Sequence, residues 1–400
     1  MSESTTSTLP SGDELRDAAG GVQAQTVELR RAIHEDPELG LQLPETQAKI
    51  LEALTGLGLD VTTGESTTSV VADLDTGVEG PTVLLRADMD ALPMTEDLDV
   101  PFQSRHEGRM HACGHDGHVA MLASAARLLS EQKGELTGRI RFMFQPGEEG
   151  HHGARFMIEE GVLDGVDRAF AIHVTPNVPA GMAATRRGPF MASADTFEIT
   201  VHGKGGHAST PHFSTDPIPA AAEIVTGLHT MVGRSIDVNQ PGLITVAHIE
   251  AGTTSNVIPE TAFLEGTIRS LNEHSRAALQ QGVERVAHGV AAAHGCSCSV
   301  EVEQGYPVTV NDAEQADLVA AVGRHTLGDN LYVDMPTAIM GAEDWSYVLQ
   351  QVPGAMAFLG VCPEDTSPRE AASNHSNYMR LNEDALANGV ALYCAMAMVR

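Results

Sequence analysis

The sequence feature that most constrains the fold is the stretch 110–118, which reads MHACGHDGH. It holds three imidazoles, a thiol and a carboxylate, and nitrogen and sulfur donors at this density are the set that Zn²⁺ and its first-row neighbours prefer. An apolar run at 83–85 precedes it, and apolar residues at helical spacing follow it. We expect a loop entering a helix, with Asp116 capping the helix and Cys113 and His115 projecting from the loop towards a metal. The alternative is a histidine-rich surface turn with a buried structural thiol.

Composition limits the class of protein. A chain of 400 residues exceeds the size at which one hydrophobic core stops growing, so we expect two domains. No apolar run reaches the roughly 18 residues that span a bilayer, which predicts no membrane partner. A net charge of −30 with three lysines disfavours binding to nucleic acid. Five scattered cysteines and a start without a signal peptide predict a reducing, cytoplasmic location, and residues 1–20 are expected to form a disordered tail.

Acidic residues follow two predicted strands. The segment 82–93, TVLLRADMDALP, is typical of a buried strand, and an extended continuation would point Asp88 and Asp90 to the same side. These two carboxylates belong either to a site or to ion pairs with Arg86. After a second strand from residue 139, flanking glycines leave Glu148 and Glu149 free to face a metal and its bound water, or to form a solvated acidic turn.

The strand 168–174 places His173 near its carboxyl end, where a lone histidine is usually structural. The alternation of strand, loop and helix from residue 82 to 175 predicts a mostly parallel α/β sheet with helices on both faces. Ligands gather at the carboxyl ends of the strands in such sheets, and the candidate residues fall there.

A different pattern begins near residue 193. Predicted strands and helices follow in the order βαββαβ, which is typical of a ferredoxin-like insert with a four-stranded sheet. We therefore expect one domain formed by 1–192 and 305–400, and a second formed by 193–304. Cys296 and Cys298 near the last strand are interpreted as structural, because no other thiol is close in sequence.

Seven motifs together resemble a known family. In order along the chain they are RADMDALP, MHACGHDGH, QPGEEGHHGA, HGKGGHASTPH, GTTSNVIP, GAEDWS and NHS. They look like the metallopeptidase family that contains hippurate hydrolase, auxin-conjugate amidohydrolase and bacterial N-acyl-amino-acid amidohydrolases. The match spans nearly the whole chain.

The resemblance implies a binuclear metal site and an N-acyl-amino-acid amidohydrolase. Its implied metal ligands are Cys113, His115, Glu149, His173 and His375. The implied metals are two divalent ions; the thiol favours Zn²⁺, and the other ligands tolerate Mn²⁺, Co²⁺ or Ni²⁺.

The same resemblance assigns roles to further residues. Glu148 would be the general base, and Asp90 would support a ligand histidine. Many relatives have His-x-Asp where this chain has Asp-Met-Asp, so the role of Asp88 stays open. His207 and Asn256 would stabilise the oxyanion from a lid domain, through which relatives form homodimers, although His207 could equally be a turn residue.

Two further residues are candidates for substrate binding. The first is Arg269, which could bind the free carboxylate of the substrate or could pair with Glu265 instead. The second is Glu343. The alternatives to an aminoacylase are a dipeptidase or carboxypeptidase with the same site, and a non-catalytic metal-binding or solute-binding protein. Adjacent Glu148 and Glu149 argue against the last, because a binding protein needs no proton acceptor beside its metal.

Overall fold

The computed structural model describes residues 9–399 and divides them into two compact units. The first unit comprises the chain up to Gly188, the segment Val310–Thr337 and the chain from Tyr347 onward. The second comprises Pro189–Thr309 and Ala338–Ser346. Within residues 9–399, no helix is long and apolar enough to cross a membrane.

Nine α-helices occur in the described part of the chain. They are α1 (Gly12–Glu35), α2 (Pro44–Leu54), α3 (His115–Glu131), α4 (Gly153–Glu159), α5 (Pro217–Ser235), α6 (Glu273–Ala293), α7 (Ala313–Leu327), α8 (Ser346–Leu349) and α9 (Leu386–Met398). Four short 3₁₀ helices accompany them, at Lys133–Glu135, Pro211–Phe213, Asp329–Leu331 and Glu383–Ala385.

Sixteen strands lie between residues 9 and 399. They are β1 (Asp60–Thr63), β2 (Val70–Asp75), β3 (Thr82–Asp88), β4 (Arg139–Gln145), β5 (Arg168–Thr175), β6 (Ala183–Thr185), β7 (Gly188–Met191), β8 (Ser193–His202), β9 (Gly206–His207), β10 (Gly242–Ala251), β11 (Val257–Ile258), β12 (Thr261–Ser270), β13 (Ser297–Gln304), β14 (Thr309–Asn311), β15 (Tyr332–Asp334) and β16 (Gly354–Gly360).

The first unit is built on an eight-stranded mixed sheet in the order β1-β2-β4-β3-β5-β16-β6-β15. Its centre is parallel, since β3 pairs in parallel with β4 and β5, and β16 pairs in parallel with β5. Six consecutive residues of β3 are buried, which means that both faces of the strand are covered, as expected for a parallel α/β sheet. The mostly parallel α/β fold predicted from the sequence is confirmed.

Helix α3 is the most deeply buried helix start in this unit, with every residue from His115 to Ala126 inside the protein. A buried hydroxyl ties the sheet to the last helix, because Tyr393 of α9 donates to the carbonyl oxygen of Arg86 at 2.7 Å and accepts from the Ile172 N–H at 3.2 Å. The helix that carries MHACGHDGH therefore starts within a tightly packed core.

The second unit has a four-stranded antiparallel sheet in the order β10-β12-β8-β13, with the chain order βαββαβ. Strand β8 alternates buried and more exposed residues, and Phe197, Ile199 and Val201 pack into a separate core with α5 and α6. This is the ferredoxin-like arrangement that the strand and helix pattern predicts.

An acidic row crosses the open face of this second sheet. Glu198 of β8 lies directly opposite Glu265 of β12 on one side and Glu301 of β13 on the other. His248 of β10 pairs with Glu265 at the end of the row, with 3.4 Å between Nδ1 and Oε2. Glu198 therefore has a carboxylate neighbour on each side.

One expectation about the amino-terminal region is wrong. Helix α1 begins at Gly12, so the predicted disordered tail does not include 12–20, while residues 1–8 lie outside the described chain. The helix begins here because Ser11 and Glu14 form a reciprocal capping box, with the Ser11 N–H donating to the Glu14 carboxylate at 2.8 Å.

Candidate metal centre

The candidate site lies where the parallel strands of the first sheet end. Strand β3 ends at Asp88, β4 ends at Gln145 just before the Glu148–Glu149 pair, and His173 is near the end of β5. Because neighbouring parallel strands end at the same edge of a sheet, these segments bring their polar residues to one place.

Two groups of possible ligands share one thiol. Cys113, His115 and His173 form the first group, and Cys113, Glu149 and His375 form the second, with the ligand atoms of each group within 4.8 Å of one another. Cys113 Sγ lies 3.4 Å from His173 Nε2, and His375 Nε2 lies 3.1 Å from Glu149 Oε1. The structure thus brings together all five side chains that the sequence predicted as ligands.

The donor atoms fit divalent transition metals. His115 Nε2 is buried and has no hydrogen-bond partner in the described chain, as expected of an atom kept for a metal. Burial, reinforced by the charges of Glu149 and Glu148, raises the pKa of the Cys113 thiol well above its usual range. A cation offsets this concentration of negative charge, and a thiol with two imidazoles is a set that Zn²⁺ binds.

The turn before α3 requires glycine. Gly114 has a φ of 90°, and a Cβ at this position would lie 2.4 Å from Cγ2 of Val174. Gly114 is the N-cap of α3 and supplies no side-chain hydrogen bond. The prediction that Asp116 caps the helix is therefore wrong: Asp116 lies in the first turn, and its carboxylate is 2.7 Å from His34 Nδ1.

The third imidazole of the motif has both nitrogens occupied. His118 Nδ1 donates to Asp88, and His118 Nε2 accepts the Val174 N–H at 2.8 Å. Asp88 also accepts from Arg86 at 2.6 Å, so it acts as the ion-pair partner that the sequence analysis left open. Burial acts to raise the pKa of Asp88, but the charges of Arg86 and the neighbouring histidines hold that pKa well below its ordinary value.

Asp90 organises the acidic loop. Its two carboxylate oxygens accept the backbone N–H groups of Glu148 and Glu149, each at 3.0 Å. The backbone carbonyl oxygen of Asp90, rather than its carboxylate, accepts a hydrogen bond from His115 Nδ1 at 2.9 Å. The opposite ring nitrogen, His115 Nε2, takes no part in this hydrogen bond. Glu148 is only 5% exposed, which excludes the alternative of a solvated acidic turn.

Protonation states differ between the ligand groups. Burial acts to lower the pKa of His115, but the Asp88 charge and the hydrogen bond to Asp90 raise it to about 10. Burial acts to raise the pKa of Glu149, but the hydrogen bond from His375 and the charge of His115 hold it below its ordinary value. His115 and Cys113 therefore keep their protons at neutral pH until a cation displaces them, whereas Glu149 is ionised.

Asn374 is a positioning residue that the sequence analysis missed. Its side-chain amide donates to the carbonyl oxygens of Cys113 at 2.8 Å and Val174 at 3.3 Å. The next residue, His375, has a left-handed φ of 67° and donates its N–H to the Ala112 carbonyl at 2.9 Å. The position of Asn374 next to the candidate ligand His375, in the sequence Asn-His-Ser, could have identified it.

The second unit brings two predicted site residues together. His207 lies in β9, which pairs with β11, and the N–H of Ala208 donates to the carbonyl of Asn256 at 3.1 Å. Both His207 and Asn256 are exposed. His207 Nδ1 accepts from the hydroxyl of Ser209 at 2.7 Å, which leaves its Nε2 directed away from the turn.

The two other predicted substrate residues have different environments. Arg269 is half-buried near the end of β12, and Glu343 is buried and accepts the Trp345 N–H at 3.0 Å. The alternative pairing of Arg269 with Glu265 does not occur among the described residues, where Glu265 instead contacts His248.

The sequence matches a known protein family and several characterised relatives. The profile of the Peptidase family M20/M25/M40 matches residues 84–399. Thermostable carboxypeptidase 2 of Saccharolobus solfataricus is 40% identical over 96% of this chain and 98% of its own length. IAA-amino acid hydrolase ILR1-like 2 of Arabidopsis thaliana is 40% identical over 93% of this chain and 84% of its own length.

Further similarities come from Bacillus subtilis. N-acetylcysteine deacetylase is 36% identical over 93% of this chain and 96% of its own length. The crystal structure of a dinuclear metal binding peptidase from the M20 family is 32% identical, with a TM-score of 0.81, and the match covers 95% of this chain and 98% of that one. The chain therefore belongs to the M20/M25/M40 peptidase family and is a metal-dependent hydrolase that acts on amide bonds.

Proposed function

We propose that this enzyme hydrolyses the amide bond of N-acyl-L-amino acids with two divalent metal ions. The observation that carries the proposal is the pair of ligand groups that share Cys113, with buried Glu148 within 4.8 Å of the ligand atoms of His115 and Glu149. Cys113, His115 and His173 would hold one ion, and Cys113, Glu149 and His375 the other. This arrangement supplies a place for a nucleophilic water and an adjacent proton acceptor.

Glu148 has the placement that a general base needs. When bound, the metal ions would polarise the scissile carbonyl and lower the pKa of the attacking water. Asp90 fixes the Glu148 backbone, so the carboxylate stays beside the ligand cluster. Glu148 would take a proton from the water and return it to the departing amine nitrogen, so one residue serves both half-reactions.

The substrate contacts in the second unit belong to the proposal as well. His207 and Asn256 would donate to the oxygen that gains negative charge in the transition state. Arg269 would pair with the free carboxylate of the substrate, and Glu343 would contribute a further polar contact. His207, Asn256 and Glu343 are supported by the resemblance of their motifs, and Arg269 by its position near the end of β12. For His207 and Asn256, the short β9–β11 pairing adds support, because it brings the two segments next to each other.

The choice of an acylated amino acid rests on the relatives. Two of them carry names for the release of an acyl group from an amino acid. A carboxypeptidase activity is the second candidate, because a relative of equal identity is named a carboxypeptidase. Both reactions cleave an amide next to a free carboxylate, so the same ligands and base serve either.

A substrate panel separates the two candidates. The metal-loaded protein is assayed with N-acetyl and N-benzoyl amino acids, an indole-acetyl amino acid, unblocked dipeptides and N-blocked dipeptides. Higher kcat/KM for the acylated single amino acids supports the proposal. Preference for N-blocked dipeptides favours the carboxypeptidase, and preference for unblocked dipeptides contradicts both. Parallel loading with Zn²⁺, Mn²⁺, Co²⁺ or Ni²⁺ identifies the ion that supports turnover.

The Glu148→Gln variant tests the base. It should keep two metals per chain and lose about 10²–10⁴-fold in kcat, because the amide cannot accept the proton. Glu159→Gln, at an exposed position of α4, is the matched control and should keep full activity. Full turnover by Glu148→Gln would remove Glu148 from this role.

A homodimer formed through the second unit completes the proposal. Sedimentation equilibrium tests it directly, since a dimer has twice the mass of the 42.3 kDa chain. A monomer at all concentrations that retain activity contradicts this part alone.

A further inference from the structure

A buried network of charged side chains connects α1 to the first turn of α3. Asp116 is 0% exposed, and its Oδ2 lies 2.7 Å from Arg30 Nε and 2.7 Å from His34 Nδ1. Both partners stand one turn apart on α1 and are themselves buried. None of the three belongs to the ligand groups described above.

The network extends to two further segments. His34 Nε2 lies 3.1 Å from Glu96 Oε1, and Arg30 contacts Glu383 at 3.1 Å. Glu96 is itself fixed, because its other carboxylate oxygen accepts the Ser104 N–H at 2.7 Å. Every buried charge in the network therefore has an oppositely charged partner when His34 is protonated.

Stability alone does not account for this network. Replacing a buried ion pair by well-packed apolar residues is often neutral or stabilising, because desolvation consumes the electrostatic attraction. Such a network does fix the relative positions of the side chains that form it. Asp116 directly follows the candidate ligand His115, and α3 starts at Gly114 without a side-chain cap. The contacts of Asp116 therefore restrain the rotation of the first turn of α3 from the side of α1, while His115 and His118 contact Asp90 and Asp88 on the side of the sheet.

From these contacts we infer that Arg30 and His34 are positioning residues for the metal centre. Through Asp116 they hold the first turn of α3 in the rotation that directs His115 Nε2 and the preceding Cys113 Sγ towards the same ion. This inference rests on the metal centre of the proposed function. It adds two residues of α1, about 80 positions away in sequence, to the determinants of metal affinity.

Two replacements of one residue test which contact matters. In His34→Asn, the amide nitrogen stands about where Nδ1 was and keeps the contact with Asp116; in His34→Gln, it stands where Nε2 was and keeps the contact with Glu96. His34→Gln should weaken Zn²⁺ binding about tenfold, whereas His34→Asn should weaken it less than about threefold. Competition with a chromophoric chelator measures the dissociation constants.

The control lies on the same pair of helices. Thr26 of α1 contacts Ser124 of α3 at 2.7 Å, about two and a half turns along α3 from His115, and Thr26→Val removes this contact without touching Asp116. Thr26→Val should bind Zn²⁺ within about twofold of the wild type. The Co²⁺ absorption spectrum, with its thiolate band from Cys113, should change in His34→Gln and stay unchanged in Thr26→Val.

Three outcomes overturn the inference. They are wild-type Zn²⁺ affinity and Co²⁺ spectrum in His34→Gln, equal losses in His34→Asn and His34→Gln, and an equal loss in Thr26→Val. If His34→Gln does not fold, as judged by thermal melting of the metal-free protein, Arg30→Lys is measured instead, and wild-type affinity there overturns the inference. A wild-type protein that binds no metal contradicts the proposed function itself.

Discussion

The acidic row on the open face of the second sheet should weaken the protein measurably at low salt. Glu198 faces Glu265 and Glu301 across the neighbouring strands. Opposing side chains are about 5.5 Å apart, and two unit charges at that distance in water repel by about 0.7 kcal/mol. At 0.01 M salt, where the screening length is about 30 Å, the repulsion of the two pairs together destabilises the fold by about 1.2 kcal/mol. At 1 M salt, where the screening length is about 3 Å, the same repulsion falls to about 0.2 kcal/mol.

Glu198→Gln removes the central charge and both repulsions. For a chain of 400 residues, the variant should therefore melt about 1.5 °C above the wild type in 0.01 M NaCl and within about 0.5 °C of it in 1 M NaCl. Differential scanning calorimetry at the two salt concentrations measures the shift. Glu250→Gln is the matched control, because Glu250 is exposed on β10 and faces Phe263. An equal rise at both salt concentrations, or the same rise in Glu250→Gln, would refute the reasoning.

Three further predictions concern the metal centre. Gly114→Ala should lose about 2–4 kcal/mol of stability in denaturant melts, because it combines a φ of 90° with a clash against Val174; a variant as stable as the wild type contradicts this reading. His118→Gln should still bind two metals per chain by elemental analysis, because both His118 nitrogens already have protein partners; loss of one metal would make His118 a ligand. Zn²⁺ affinity should rise with pH between 6 and 8, because the raised pKa values of Cys113 and His115 keep both groups protonated in the metal-free protein. Binding then releases about two protons. A chelator-competition titration in which the affinity does not change with pH would refute this.

Much of the architecture could be predicted from local patterns. The alternating residues of 193–304 predicted the second sheet, because a two-residue period is typical of a half-buried strand. The apolar run before Asp88 predicted a buried strand, because a short continuous apolar run is typical of a strand covered on both faces. The start of α1 was missed although Ser11 and Glu14 carry the capping-box spacing, since a Ser/Thr-rich beginning suggested disorder.

The candidate ligands were accessible from residue type and motif order, but their supports were not. Whether Asp116 caps its helix or faces α1 depends on where His34 lies, and the two are 82 positions apart. The same holds for His118, whose two hydrogen bonds go to segments that only the folded sheet brings near. Contacts between residues so far apart in the sequence produce no local periodic pattern from which they could be predicted.

The second unit is inserted between two members of the candidate ligand set. His173 precedes Pro189 and His375 follows Thr309, so an entire independent core separates them along the chain. During synthesis, the ribosome must complete this second core before the last donor is available. The ion that would need His375 can therefore load only late in biogenesis, whereas the candidate ligands Cys113, His115 and His173 are all synthesised before the second unit.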